Sequence, residues 1–335
     1  MVNNNSCRKE EYWLSVVIIG RNAGKRLPAL FTSLPDREDF ERLYIDSNSE
    51  DKSIDIALKQ RAKVFLVEKE SVYAPGTGRY VGTLEAAGRW ILYLDSDMVL
   101  RKEFLLFLEK LKVENNLPPK TVGFVGRTCN RYVDHNDHVV AGRDYTVLSA
   151  SEMGATEKWG KPAGYHGGAV LYLRDAVLKA GNWNPAVYQL EELDLCSRIY
   201  AKGGILRAVD LPMVDHYTPF LSKWERLRLN FGPKWQEKKL YGAGQVVTAH
   251  LRAGSFFALV RFYPYPFLIF TGLLTVPLFV LQQPLVPLII NLLIIAWISF
   301  KKKWYYYLVY LGNLLQIFRG LGRYKPFKPQ YKRVE

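Results

Sequence analysis

The sequence predicts an α/β fold, a sheet covered by helices on both faces, followed by a membrane-associated C-terminal region. Two observations predict it. Short apolar, β-branched runs alternate with helix-like segments through the first two thirds of the chain, and nothing between Arg261 and Lys301 carries a formal charge. A third observation places the chemistry. In "WILYLDSDMVL", 90–100, an apolar strand-like run ends in Asp95 and Asp97, two carboxylates one residue apart.

The elements follow in order. "LSVVII", 14–19, reads as a strand ending at Gly20, and the spacing of "KRLPALFTSL" predicts a helix after it. "LYID", 43–46, is a second strand, "SIDIALKQR", 53–61, a second helix, and "KVFLV", 63–67, a third strand. "GRYVGTLEAAG", 78–88, leads as a helix into the strand that carries the two aspartates. Such alternation implies βαβ units, and in these sheets ligands bind beyond the carboxyl ends of the strands. Asp46 and Asp95 stand at two such ends. Later, "GGAVLYLRDAVLKAG", 167–181, reads as strand then helix, and "LEELDLCSRIYAKGG", 190–204, as an amphipathic helix with acids in its first turn. Asp194 and Arg198 are spaced there for an i, i+4 pair.

The uncharged stretch 262–300 has 39 residues, enough for two short spans of about 20 residues each. The expected turn is "LQQPLVP", with Pro284 and Pro287 breaking the helix. A buried hairpin in a soluble core is the alternative, but soluble helices of this length rarely go uncharged on every face. The net charge is +14, and basic residues flank the stretch on both sides. By the positive-inside rule both flanks are expected to be cytoplasmic, with the N-terminal region on that face of the membrane. Anionic lipid headgroups are a simpler partner for these charges than nucleic acid. "PFLSKWERLRLNFGPKW", 219–235, suits a helix lying in the interface plane, and "WYYYLVYLGNLLQIF", 304–318, either a second such helix or a short insertion. Pairing of two copies through the exposed apolar spans is a further expectation. The polar N-terminus lacks the apolar region of a signal peptide, and Cys7, Cys129 and Cys196 lack metal-type spacing, so reduced thiols are expected.

Adjacent carboxylates repel, and both stay ionised comfortably only beside a cation. Oxygen ligands favour a hard ion, Mn²⁺ or Mg²⁺, which keeps few protein carboxylates when substrate phosphates supply the rest. An Asp-x-Asp at a strand end therefore suits a metal–diphosphate substrate, although alone it equally suits a solvated turn.

It is not alone. Residues 14–205 resemble the inverting nucleotide-sugar glycosyltransferases of family 2, with their GT-A fold, a Rossmann-like mixed sheet flanked by helices. The resemblance rests on "VVIIGRNAGKRL", "YIDSNSED", "GTGRYVGTLEAAGRWILYLDSD", "YHGGAVLYLRDAVLKAGNWNP" and "EELDLCSRI", in that order. It implies that Gly20, Arg21 and Asn22 line the nucleotide end and that Asp46 bonds the base. It further implies that Arg79 reaches the nucleotide or its phosphates, that Asp95, with Ser96 beside it, holds the ribose, and that Asp97 ligates the metal. The family usually has a Pro-Thr-Tyr-Asn-like turn where this chain has Gly20-Arg21-Asn22, which bears on base recognition. In the family a Glu-Asp pair supplies the catalytic base from its second residue. Here the pair is Glu191-Glu192, which implies Glu192 as base with Glu191 as the second candidate. Many members have a histidine completing the metal or diphosphate site where this chain has His216, and a structural histidine fits that position equally. His166, beside Gly167 and Gly168, is a candidate for the acceptor pocket. "DHNDH", 134–138, has a metal-like composition but sits in a polar loop.

The expected division is 1–218, a GT-A catalytic domain; 219–260, interfacial helices; 261–300, a transmembrane hairpin; and 301–335, a basic, aromatic membrane-associated segment. The expected function is a metal-dependent inverting transfer of a hexose to a hydroxyl of a lipid-linked or membrane-proximal acceptor. Similarity to membrane-bound archaeal and dolichol-linked mannosyltransferases suggests GDP-mannose as the nucleotide-diphosphate sugar donor, with UDP-glucose close behind. A polyprenyl (dolichyl) phosphate sugar synthase is the rival reading, since a phosphate acceptor needs cations and no base. A processive synthase would need more spans, and a non-catalytic scaffold would have lost these acids.

Overall fold

The computed structural model describes residues 12–68, 73–114, 116–146, 158–164, 168–222, 225, 241–275, 285–301 and 306–334. The chain divides into two compact units. One comprises residues up to Ala186, Glu191–Phe220 and the C-terminal Pro326–Glu335; the other comprises Val187–Leu190 and Leu221–Lys325.

The first unit is built on one mixed sheet. Its strands are β1 (Tyr12–Gly20), β2 (Phe40–Asp46), β3 (Lys63–Val67), β4 (Gly88–Asp95), β5 (Met98–Leu100), β6 (Thr121–Val133), β7 (Val139–Tyr145), β8 (Lys161–Pro162), β9 (Val170–Leu173), β10 (Ile205–Pro219) and β11 (Tyr331–Val334). Their order is β11-β3-β2-β1-β4-β9-β6-β10-β5, with β7 on β6 and β8 on β10. The helices are α1 (Leu27–Thr32), α2 (Ser53–Lys59), α3 (Pro75–Glu85), α4 (Lys102–Val113), α5 (Arg174–Lys179) and α6 (Glu191–Ala201).

β3, β2, β1 and β4 run parallel, and Leu14 to Ile19 of β1 are all buried, as expected of a strand with helices on both faces. The register pairs Gly20 with Asp46 on one side and Ile19 with Asp95 on the other. Three strand ends thus form one rim, with β1 at the point where the connections diverge, the usual place for a ligand crevice. β9 then enters antiparallel between β4 and β6, so its first residues lie at the same rim. In the core beneath, Phe107 packs edge-on to Phe124 and Trp159.

Helix α3 carries three glycines, and one of them lets it approach β1 closely. A Cβ at Gly82 would lie 2.2 Å from Cγ1 of Val17. Glycine is disfavoured inside a helix by roughly 1 kcal/mol relative to alanine, so the position is filled for contact and not for propensity.

Some sequence expectations change. His216, expected beyond a strand end, lies inside the 15-residue β10, opposite Met98 of β5 and Asn130 of β6. Within the segment 301–335, Tyr331–Val334 is a strand that the sequence reading did not expect, the edge strand β11, antiparallel to β3. The Tyr331 hydroxyl donates to Glu85 Oε1 at 2.7 Å, and the Glu68 N–H donates to the Gln330 carbonyl at 2.9 Å.

The second unit is helical, with α7 (Gly242–Arg252), α8 (Phe256–Phe262), α9 (Tyr265–Leu274), α10 (Leu285–Lys301) and α11 (Tyr306–Gly320). Ile269, Ile298 and Leu314 form its inner cluster, and Tyr265 stacks on Tyr310 at 4.5 Å. Among the described residues no single helix is long and apolar enough to cross a membrane; α8 and α9 qualify together but are bent by 101°. Pro287 lies in the first turn of α10, where proline is tolerated, instead of breaking a helix there. Pro284 and most of the expected turn lie outside the described residues, as does most of the interfacial segment 219–235.

Candidate active site

The rim built by β1, β2 and β4 opens into a cavity of about 330 Å³ lined by Ile19, Gly20, Arg21, Ser47, Tyr73, Ala74, Pro75, Gly78, Asp95, Ser96 and Asp97. Five residues picked from the sequence, Gly20, Arg21, Asp95, Ser96 and Asp97, therefore meet in one place. Asn22 and Asp46 do not line it. Asn22 adopts a left-handed conformation and accepts the Glu50 N–H on its side chain at 2.8 Å. Asp46 is fully buried, with Oδ1 accepting the Ser49 N–H and Oδ2 the Ser49 hydroxyl, both at 2.6 Å. Both residues brace the loops after β1 and β2.

Arg79, expected to face a nucleotide, is buried beneath the cavity at 1% exposure. Its guanidinium donates to Asp95 Oδ1 at 2.8 Å and to Oε1 of both Glu191 and Glu192 at 3.1 Å, while lying 4.9 Å from the Trp183 ring centre. Burial alone would lower its pKa, but the three carboxylates more than offset that and hold it protonated. Asp95 is shifted upward, first by burial and then by the Asp97 charge, with Arg79 acting against the shift. Burial likewise raises Glu191, and repulsion from Glu192 adds to it.

Glu192 is the more open member of its pair, with a side-chain exposure of 19% against 7% for Glu191. It stands in the first turn of α6, where the helix dipole favours a negative charge. The Gly168 N–H points to the same Oε1 from 3.4 Å. Gly168 has φ +82°, and a Cβ there would sit 2.5 Å from the Met98 methyl, so the backbone passes over Asp95 and Met98 as only glycine can. His166 and Gly167 lie outside the described residues.

At the other end of the acid cluster, His216 Nε2 lies 3.4 Å from Asp97 Oδ2, and its Nδ1 is 2.9 Å from Asn130 Oδ1. Burial would lower the His216 pKa, but its hydrogen bond to Asp97 and the charge there raise it. Among the described residues Asp97 Oδ1 is buried without a hydrogen-bond partner. Arg79 holds Asp95, Glu191 and Glu192, whereas Asp97 has His216 beside it. A buried carboxylate oxygen without a partner, next to an imidazole, fits a divalent cation. Among the described residues no group of three or more His, Cys, Asp or Glu could hold one alone. Asp97 and His216 are the residues that could supply two of its ligands. The "DHNDH" loop is occupied otherwise: Asp134 accepts the backbone N–H groups of Asn136 and His138, and Asp137 pairs with Lys25 and Arg26.

Sequence reasoning missed Tyr73, Trp183 and Asn130. Tyr73 lines the cavity with the Arg21 guanidinium 5.2 Å from its ring centre, Trp183 backs Arg79, and Asn130 orients His216. Trp183 falls within a quoted segment, "YHGGAVLYLRDAVLKAGNWNP", without being singled out, and Tyr73 and Asn130 belong to none of the quoted segments. The Asp194–Arg198 pair forms as the spacing predicts, at 2.5 Å.

Residues 15–178 match the model of the family described as Glycosyl transferase family 2. No curated protein matches the sequence. Among solved structures, a mannosyltransferase from Pyrobaculum calidifontis, PcManGT, in complex with GDP-Man and Mn²⁺, is similar over 93% of this chain and 88% of its own, at 14% identity and a TM-score of 0.53. S. aureus TarS is similar over 71% of this chain at 17% identity and a TM-score of 0.45, and this chain spans 42% of its length. GalNAc-T7, with UDP, GalNAc and Mn²⁺, is similar over 70% of this chain and 47% of its own, at 16% identity and a TM-score of 0.49. At such identities the likeness is one of fold.

Proposed function

We propose that this chain, whose residues 15–178 match the model of Glycosyl transferase family 2, is a glycosyltransferase that carries out a metal-dependent, inverting transfer of a hexose from a nucleotide diphosphate to an acceptor hydroxyl at a membrane surface. One observation carries the reading. Arg79, buried beneath the cavity, donates to both Glu192 and Asp95, and Asp95 lines the cavity together with Asp97. One arginine thus links the base to the diphosphate-binding acid pair.

In this reading the acceptor oxygen attacks the sugar C1 from the Glu192 side. The new C–O bond forms as the bond from C1 to the diphosphate breaks, and the acceptor proton passes to Glu192. Arg79 and the Gly168 N–H hold the Glu192 carboxylate in place, and Glu191, buried behind it, binds the same guanidinium. A divalent cation bound by Asp97 and His216 would neutralise the departing diphosphate. The donor is GDP-mannose by its similarity to mannosyltransferases, and PcManGT was solved with GDP-Man.

Membrane association is supported by the second unit. Leu285, Leu288, Ile289, Leu292, Leu293 and Trp297 of α10 are all exposed, an apolar surface of the kind that binds lipid. With basic flanks on both sides, the catalytic unit would face the cytoplasm. A hydroxyl acceptor is favoured over a phosphate because the carboxylate pair stands where an anionic acceptor would be repelled.

The test joins binding and turnover. Glu192→Gln should lower kcat by about 10²–10⁴-fold while leaving Mn²⁺-dependent nucleotide affinity unchanged. Asp97→Ala should abolish that affinity. Full turnover by Glu192→Gln would remove it as the base.

A further inference from the structure

We infer that Arg21 and Tyr73 form the base clamp of the cavity and select a guanine nucleotide, a step that rests on reading the cavity as the nucleotide site. The base needs a recognition group, and Asp46 is not free to be it: it is fully buried and both its oxygens are taken by Ser49. Along the rim, Ser47 follows β2 and Asp95 ends β4, with β1 between them. Two strand spacings separate these positions, about 10 Å. That distance matches a nucleoside laid across β1 with its diphosphate toward Asp97, so its base falls on the side of Ser47, Arg21 and Tyr73.

Two features there suit a base. Tyr73 borders the cavity with the Arg21 guanidinium over its ring, and among the described residues the buried Tyr73 hydroxyl has no hydrogen-bond partner. The Tyr73 ring is a stacking platform for any base, which would take the place of the guanidinium over the ring and leave Arg21 at the edge of the base. Arg21 adds discrimination. Among the described residues the acid paired with it is Glu50, 4.0 Å away, which leaves guanidinium donors to face the cavity. Guanine presents two adjacent acceptors, O6 and N7, to a guanidinium fork. The Watson–Crick edge of uracil alternates acceptor and donor, and a group with donors alone satisfies only part of it.

The experiment is calorimetric titration of the full chain in detergent with GDP and with UDP, each with Mn²⁺, for the parent protein and for Tyr73→Ala, Tyr73→Phe, Arg21→Ala and Asp97→Ala. The parent should prefer GDP. Tyr73→Ala should weaken GDP binding on the order of 5- to 150-fold, the range of a lost base stack. Tyr73→Phe should keep most of the affinity, and Arg21→Ala should bring GDP and UDP to similar values. Unchanged affinity in Tyr73→Ala, or an undiminished GDP preference in Arg21→Ala, overturns the clamp while metal-dependent binding lost in Asp97→Ala leaves the site itself standing. A UDP preference in the parent overturns the guanine assignment. No binding of either nucleotide by the parent overturns the nucleotide site, and the clamp with it.

Discussion

Arg79 holds three carboxylates, and the cost of that arrangement falls on Glu191. Burial and the neighbouring Glu192 raise its pKa above the ordinary glutamate range, so the folded protein binds that proton more tightly than the unfolded chain does. A group of this kind contributes stability at low pH and loses it as pH rises through the raised value. Glu191→Gln keeps the acceptor oxygen toward Arg79 and cannot ionise. Its melting temperature should therefore stay near that of the parent at about pH 5 and exceed it increasingly toward about pH 9, with a slope of up to about 1.4 kcal/mol per pH unit inside the window. A melting temperature below the parent's at every pH would mean that the ionised Arg79–Glu191 pair outweighs the burial. The sequence showed these acids, and it showed Arg79. It did not show that they bind one another, because Arg79 and Glu191 are 112 residues apart and pattern alone carries no contact between them.

At the scale of elements, the site depends on how closely α3 rides on β1. Gly82→Ala should gain helix propensity, about 1 kcal/mol, yet lose more by driving a methyl into Val17. The expected net is a destabilisation of about 1–2 kcal/mol in urea unfolding, with turnover reduced because Arg79 lies on the same helix. Val17→Ala should recover part of the loss in the double variant, and a neutral Gly82→Ala would show that the contact is slack. Elements with local signals were legible. β3 falls on 63–67 as its apolar run predicts, and α6 begins at the acid pair. Elements defined by distant partners were not. β7, "VVAGRDY", is exposed along most of its length and has no buried face to print an alternation, so its strand character comes from pairing with β6. β10 runs through His216 because β5 and β6 flank it there, and neither neighbour is visible in the local sequence.

At the scale of the whole molecule, the chain leaves the sheet unit after Phe220 and returns to it at Pro326. The strand it brings back covers the outer edge of β3, an edge that would otherwise offer unpaired N–H and C=O groups to another chain. Deleting residues 326–335 should therefore produce concentration-dependent aggregation on size-exclusion chromatography, and a monodisperse deletion variant would show that the edge needs no cover. Tyr331 also ties this strand to Glu85 at the end of α3, the helix that carries Arg79. The order of synthesis gives the arrangement a meaning in time. Chains fold from the N-terminus as they emerge, so β3 waits for its last neighbour until every helix of the second unit has been made. The sheet closes only once β11 has emerged, and its closing is a record that the helical unit has already left the ribosome.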